Sequence, residues 1–146
     1  IYIDNSKGVN YTGIKIYNNI FEKYKNAIVI KGKKIVDVEI KNNVFLNVSG
    51  FDISNTATSP VPTISFQNNL KYTSGQTAIW STSGTITTNT DNIIGDPEFQ
   101  NTGDRWGSTY YAPASGSSFA VDKGINVGLP FNGSAPDIGR FEFWKI

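Results

Sequence analysis

The stretch Val38-Glu39-Ile40-Lys41-Asn42-Asn43-Val44-Phe45 decides the fold. Apolar Val38 and Ile40 alternate with polar Glu39 and Lys41, the period of a strand with one face buried. An Asn pair interrupts the alternation, and apolar residues resume directly after it. Moving outward, the same unit recurs as Ile14-Lys15-Ile16-Tyr17-Asn18-Asn19-Ile20-Phe21 and as Ile64-Ser65-Phe66-Gln67-Asn68-Asn69-Leu70. A degenerate copy is Thr87-Thr88-Asn89-Thr90-Asp91-Asn92-Ile93. The pairs begin at Asn18, Asn42, Asn68 and Asp91, so they are 24, 26 and 23 residues apart, and a near-constant period of this size marks a solenoid.

A shorter strand precedes each unit: Ile1-Tyr2-Ile3, Ala27-Ile28-Val29-Ile30, Phe51-Asp52-Ile53 and Ala78-Ile79-Trp80. Two or three short strands per two dozen residues form one coil of a β-helix. No window sustains apolar residues at helical spacing, and the wealth of Asn, Gly, Thr and β-branched residues opposes helix. The reading is an all-β chain of about four coils over 1–94, with a non-repeating capping tail over 95–146. Where a strand ends in a sharp bend, a residue near the left-handed region is required, and Asn tolerates it better than most. Stacked coils would place these residues about 4.8 Å apart, so Asn18, Asn42, Asn68 and Asp91 are expected to form a hydrogen-bonded ladder. Ile16, Ile40 and Phe66, with Ile20, Val44 and Leu70, are expected to stack in the core.

Composition narrows the function. With 13 basic against 12 acidic residues in 146, the formal charge is +1, and no net field draws the chain to nucleic acid or anionic lipid. Absence of Cys excludes disulfides and thiolate metal sites, and absence of His removes the commonest general base and zinc ligand. No apolar run approaches the roughly 20 residues of a membrane-spanning helix. A strand-like beginning and the lack of Met read as a segment of a longer protein, whose preceding coils would be a partner of this one.

The Asn-Asn-x-Phe coil unit resembles the right-handed parallel β-helix family that includes pectate lyases and other polysaccharide lyases. The tail adds to it. Gly95-Asp96-Pro97-Glu98-Phe99, Ser117-Ser118-Phe119-Ala120-Val121-Asp122-Lys123-Gly124 and Ser134-Ala135-Pro136-Asp137-Ile138-Gly139-Arg140-Phe141-Glu142-Phe143 are similar to the "DPxF … SPAIDxG … APDIGAFE" ending of secreted bacterial β-helix proteins of the polysaccharide-degrading kind. Phe119 stands where that pattern has Pro, and Arg140 where it has Ala. The resemblance implies a secreted or cell-surface protein acting on acidic polysaccharide. In such lyases a Lys or Arg removes the proton α to a uronate carboxyl, which Ca²⁺ held by Asp and Glu neutralises. The same coils also occur in glycoside hydrolases, epimerases, adhesins and phage tailspikes, so the fold does not choose the chemistry.

Candidate contacts to such a glycan are Lys31, Lys33 and Lys34 in one bend, and the aromatic residues Trp80, Trp106, Tyr110 and Tyr111, whose flat rings suit the C–H face of a sugar. Each has a plainer alternative: a Lys run as a solvated turn that protects an edge, an aromatic as packing between tail and coils. The acidic residues Asp4, Asp37, Glu39, Asp52, Asp91, Asp96, Glu98 and Asp104 are scattered, with no Ca²⁺-loop string. No metal site or cofactor is evident, Ca²⁺ being implied only for the longer protein. The catalytic residues are expected upstream of Ile1, with an adhesin or glycan-binding module as the alternative. For the tail, a capping role is expected, since an open solenoid exposes its last strand edges.

Overall fold

The computed structural model describes residues 1–75, 80–100 and 110–143. Among these residues twelve short strands follow one another: β1 (Tyr2–Asn5), β2 (Tyr11–Tyr17), β3 (Ile20–Glu22), β4 (Ile28–Gly32), β5 (Ile35–Lys41), β6 (Val44–Leu46), β7 (Ile53–Asn55), β8 (Ile64–Gln67), β9 (Leu70–Tyr72), β10 (Thr82–Ser83), β11 (Thr88–Thr90) and β12 (Ile93–Ile94). They sort into three sheets, β1-β4-β7-β10, β2-β5-β8-β11 and β3-β6-β9-β12. All strand pairings are parallel. Each sheet takes one strand from each successive coil, which makes a parallel β-solenoid of about four turns. No helix occurs among the described residues.

The bend between the second and third sheets is built by the Asx pairs. Asn18, Asn42, Asn68 and Asp91 all adopt positive φ, at 56°, 55°, 50° and 55°. The ladder, however, runs through the second member of each pair. Asn19 N and Nδ2 donate to Asn43 Oδ1 at 3.0 and 3.1 Å, Asn43 N and Nδ2 to Asn69 Oδ1 at 2.9 and 3.1 Å, and Asn69 N and Nδ2 to Asn92 Oδ1 at 2.8 and 2.9 Å. This corrects the ladder expected at Asn18, Asn42, Asn68 and Asp91. The left-handed residue makes the bend, and only its successor carries a carboxamide in line with the coils above and below. Asn43 and Asn69 are fully buried, and each also donates to carbonyls of its own and a neighbouring coil: Asn43 to Ile16 and Lys41, Asn69 to Ile40 and Gln67. At another bend Gly32 (φ 103°) lies opposite Asn5, where a Cβ would come within 2.7 Å of the Asn5 carbonyl, so only glycine fits.

Among the described residues there are two apolar cores. Inside the coils, Ile16, Ile40 and Phe66 align in register, as do Val38 with Ile64 and Ile28 with Ile53. Phe21 stacks on Phe45 with ring centroids 5.1 Å apart. Ile20, Val44 and Leu70 face the other way. They and Ile93 form a row on the outside of the third sheet, covered by Phe99, Tyr111, Ala120 and Ile138 of the tail. The bend through the left-handed Asn resets the alternation, so the residue after each pair points outward and the Phe points in. Burying both sides of the third sheet explains why Val44, Phe45 and Leu46 are all inaccessible.

On the third coil the inward position held by Phe21 and Phe45 belongs to Lys71. Its ammonium lies 2.6 Å from Asp52 Oδ2, both side chains being buried, and the same oxygen accepts the Ser81 amide at 2.7 Å. Burial pushes the Asp52 carboxyl up, against the pull of Lys71 and of the Ser81 amide.

The described tail lies along the flank of the third sheet and is held by backbone bonds. Gly139 N donates to Asn42 O at 2.9 Å, Ile138 N to Ala120 O at 2.7 Å and Gly124 N to Pro136 O at 2.7 Å. The acidic residues of the tail motif serve the same end: Asp122 accepts Ser134 and Ala135 amides, Asp137 those of Asp122 and Phe143, and Glu142 those of Asn132 and Asp137. Phe119 is 51% exposed, its ring over Gly95, while Trp144 lies outside the described residues.

Candidate functional site

Because inward residues of β2, β5, β8 and β11 alternate with outward ones, the outer face of the second sheet carries two straight rows running from coil to coil. One is Lys15, Glu39, Ser65 and Thr88; the other is Tyr17, Lys41, Gln67 and Thr90. Rungs about 4.8 Å apart set the spacing along each row. Lys41 Nζ donates to Glu39 Oε2 at 2.8 Å and sits 6.0 Å from the centre of the Tyr17 ring, whose hydroxyl also donates to Glu39. Ser65 Oγ donates to Gln67 Oε1 at 2.7 Å, and Gln67 Nε2 to Thr90 Oγ1 at 3.0 Å.

These contacts set the charges. Hydrogen bonds from Lys41 and then Tyr17 hold the Glu39 carboxyl below its ordinary range, with Lys15 adding to the effect. Burial, followed by its bond to Glu39, pushes the Tyr17 hydroxyl far above the usual phenol range. Around neutral pH Glu39 is therefore an anion and Tyr17 a neutral donor, and neither is poised to exchange a proton. The face is an array of hydroxyls, one carboxamide, two ammonium groups, one carboxylate and one aromatic ring, suited to holding a polar ligand.

One margin of this face is the column of left-handed Asx residues. Asn68 Nδ2 donates to Lys123 O at 3.0 Å, while Asn42 Nδ2 donates to Ile125 O and Asn42 Oδ1 accepts Ile125 N, both at 2.8 Å. A strap of tail backbone is thus clipped to the second and third coils beside Lys41 and Gln67.

The candidates named from sequence separate in space. Lys31, on β4 in the first sheet, pairs with Asp4 at 3.2 Å and lies 5.1 Å over the Tyr2 ring. The Tyr2 hydroxyl and the Asp4 carboxylate raise its pKa. Lys33 and Lys34 occupy the bend before β5, both exposed, with Lys34 at φ 55°. Trp80 is not in a strand; the fourth coil pairs through Thr82 and Ser83 instead. Its indole packs edge-on against Phe45 and Phe66 at 5.6 and 5.0 Å, inside the coils and turned from any outward ligand. Tyr111 is buried, 4.0 Å from the Tyr110 ring, with its hydroxyl donated to Glu22. Tyr110 remains half-exposed. Trp106, Asp104, Ala78 and Ile79 lie outside the described residues. Among the described residues no three His, Cys, Asp or Glu side chains are grouped so as to hold a metal ion.

In the sequence Tyr17 falls on an outward-alternating strand position and Lys15 and Lys41 on the first two coils, whereas nothing there singles out Ser65, Gln67, Thr88 or Thr90. The available signal was the polar member of each alternating unit, whose alignment across coils appears only once the register is known. Comparison of the chain with protein-family models, with curated proteins and with solved structures finds no match.

Proposed function

We propose that this chain is a glycan-holding part of an extracellular carbohydrate-active β-helix protein, similar to polysaccharide lyases, and that acidic polysaccharide lies along the outer face of β2, β5, β8 and β11. The observation that carries this reading is the pair of straight polar rows, Lys15-Glu39-Ser65-Thr88 and Tyr17-Lys41-Gln67-Thr90. An extended polysaccharide repeats its hydroxyls at regular steps, and a solenoid repeats its donors and acceptors at regular steps, so the two match along one axis. Lys15 supplies attraction for carboxylates, Lys41 does so in competition with its partner Glu39, and the Tyr17 ring supplies an apolar surface for a sugar face. Bond cleavage by β-elimination is assigned to other coils of the longer protein. A non-catalytic glycan-binding or adhesin module is the second reading, favoured by the commitment of Glu39 and Tyr17 to each other and to Lys41.

Affinity electrophoresis through polygalacturonate or alginate gels tests the face. The chain should be retarded, Lys15→Ala with Lys41→Ala should abolish retardation, and Lys33→Ala with Lys34→Ala should leave most of it. No retardation of the unmodified chain on any acidic glycan would sink the proposal. Assay of the longer protein for the ultraviolet absorbance of unsaturated products separates the two readings, since a binding module yields none.

A further inference from the structure

We propose that the third coil is a site of covalent modification, where the Lys71 amine and the Asp52 carboxyl condense to an amide that staples the start of β7 to β9 through the interior. The proposal is independent of the glycan reading and shares no residue with the candidate face.

The geometry comes from the register. Ile28 pairs with Ile53 and Phe45 with Lys71, so in the third coil Asp52 and Lys71 take the places that Ala27 and Phe45 hold in the second. A small apolar residue and a large one have become a carboxylate and an ammonium. Their side chains are 0% and 4% exposed, and Lys71 Nζ lies 2.6 Å from Asp52 Oδ2. At that separation the carboxyl carbon is roughly 3–3.5 Å from the nitrogen, the distance of a near-attack arrangement. The wall is apolar: the Trp80 ring, 5.9 Å from Nζ at its centre, packs on Phe45 and Phe66. Asp52 Oδ1 is buried and has no hydrogen-bond partner among the described residues. A buried ion pair adds little net stability over an apolar pair, and an orphaned carboxylate oxygen lowers it further, so stability alone gives no reason for these two residues.

The step balances within the pair. Lys71 Nζ passes one proton to the carboxylate, leaving a neutral amine beside a neutral acid, and the burial that pushes the Asp52 carboxyl up favours this transfer. The nitrogen lone pair then forms the Nζ–Cγ bond. Charge developing on Oδ2 is met by the Ser81 amide, which already donates to that oxygen at 2.7 Å. Oδ1 collects the first proton and a second from Nζ, the Cγ–Oδ1 bond breaks with its electron pair on oxygen, and one water leaves. Nothing is oxidised or reduced. Two buried charges and the orphaned oxygen disappear together, and the amide oxygen that replaces them keeps the bond from Ser81. In water the separate ions are the favoured side of this equilibrium. In the apolar interior each ion carries a desolvation penalty that its partner only partly repays, which turns the balance toward the amide. Until the bond closes, the freshly folded chain holds the buried ion pair; afterwards a link across 19 positions of sequence restrains the unfolded chain as a disulfide of that span would.

The experiment is intact-mass spectrometry of the whole chain, folded, held at neutral pH for a day and unfolded for the measurement. The mass should fall below the sequence value by one water, about 18 Da, and a protease digest should contain the Asp52 and Lys71 peptides joined to each other. Lys71→Arg keeps a cation opposite Asp52 but has no amine that can deprotonate, so its mass should equal the sequence value. Its melting temperature should lie on the order of 5–10 °C below that of the cross-linked chain. The joined peptide is read in the unmodified chain, so the result stands whether or not the variant folds. Full sequence mass in the folded, aged, unmodified chain overturns the proposal. So does a water loss that the digest places within a single peptide, which would mark a cyclic imide at an aspartate instead of a bond between Lys71 and Asp52.

Discussion

Lys71 Nζ lies 2.6 Å from Asp52 Oδ2 inside the solenoid, on the rung where the two preceding coils place Phe21 and Phe45. Removing one partner leaves a buried charge with nothing to offset it, so Lys71→Ala should cost about 3–5 kcal/mol in urea unfolding. Replacing both, with Lys71→Met and Asp52→Ala, should recover most of that loss, since an apolar pair of similar volume avoids desolvating two ions. A double variant as unstable as the single would show that the pair is worth more than its desolvation penalty.

The Asn ladder should be steeply position-dependent. Asn69 is fully buried, accepts two bonds from Asn43 and donates to Ile40, Gln67 and Asn92. Asn69→Ala strands several of these groups at once and should destabilise by at least about 3 kcal/mol. Asn19 is exposed at the end of the row, and Asn19→Ala should cost less than about 1 kcal/mol. Equal losses at the two positions in denaturant titrations would contradict the ladder as described.

Trp80 is a packing residue. Truncation to Ala removes contacts with Phe45 and Phe66 and should lower stability by about 3 kcal/mol. Affinity for acidic glycan per folded molecule, measured well below the melting temperature, should stay as it was. A selective loss of affinity with stability retained would return Trp80 to the binding surface.

Glu39 sets a pH signature. Its folded carboxyl is held below the unfolded value of about 4.3, so its contribution is complete above that value and vanishes as pH falls through the folded value. Glu39→Gln should therefore be less stable at pH 7 by under about 1 kcal/mol, as expected of a partly exposed pair. The gap from the unmodified protein should close on acidification below about pH 4. A gap that does not change with pH would mean that shape, not charge, is what Glu39 contributes.

The chain itself determined the solenoid. A strand alternation interrupted by Asn-Asn every two dozen residues needs only local rules, namely a buried face, a left-handed residue at a bend and identical units that stack. Those rules also marked Asn18, Asn42, Asn68 and Asp91 as the bend residues. They could not say which Asn of each pair bridges the coils, because that depends on where the carboxamide points after the bend, and there the second residue wins. For the same reason Val44 and Phe45 are equivalent as letters yet lie in different cores, one under the tail and one inside the coils. Lys71 reads as a surface cation until the register sets it above Phe45, where Asp52 from a distant part of the coil meets it. The candidate face needed the register as well: Tyr17, Lys41, Gln67 and Thr90 are each unremarkable in sequence and become a row only when four coils align. Local alternation and backbone preference are written residue by residue, whereas alignment between coils and the path of the strap come from packing many separated segments at once, and that is the part tertiary structure decided.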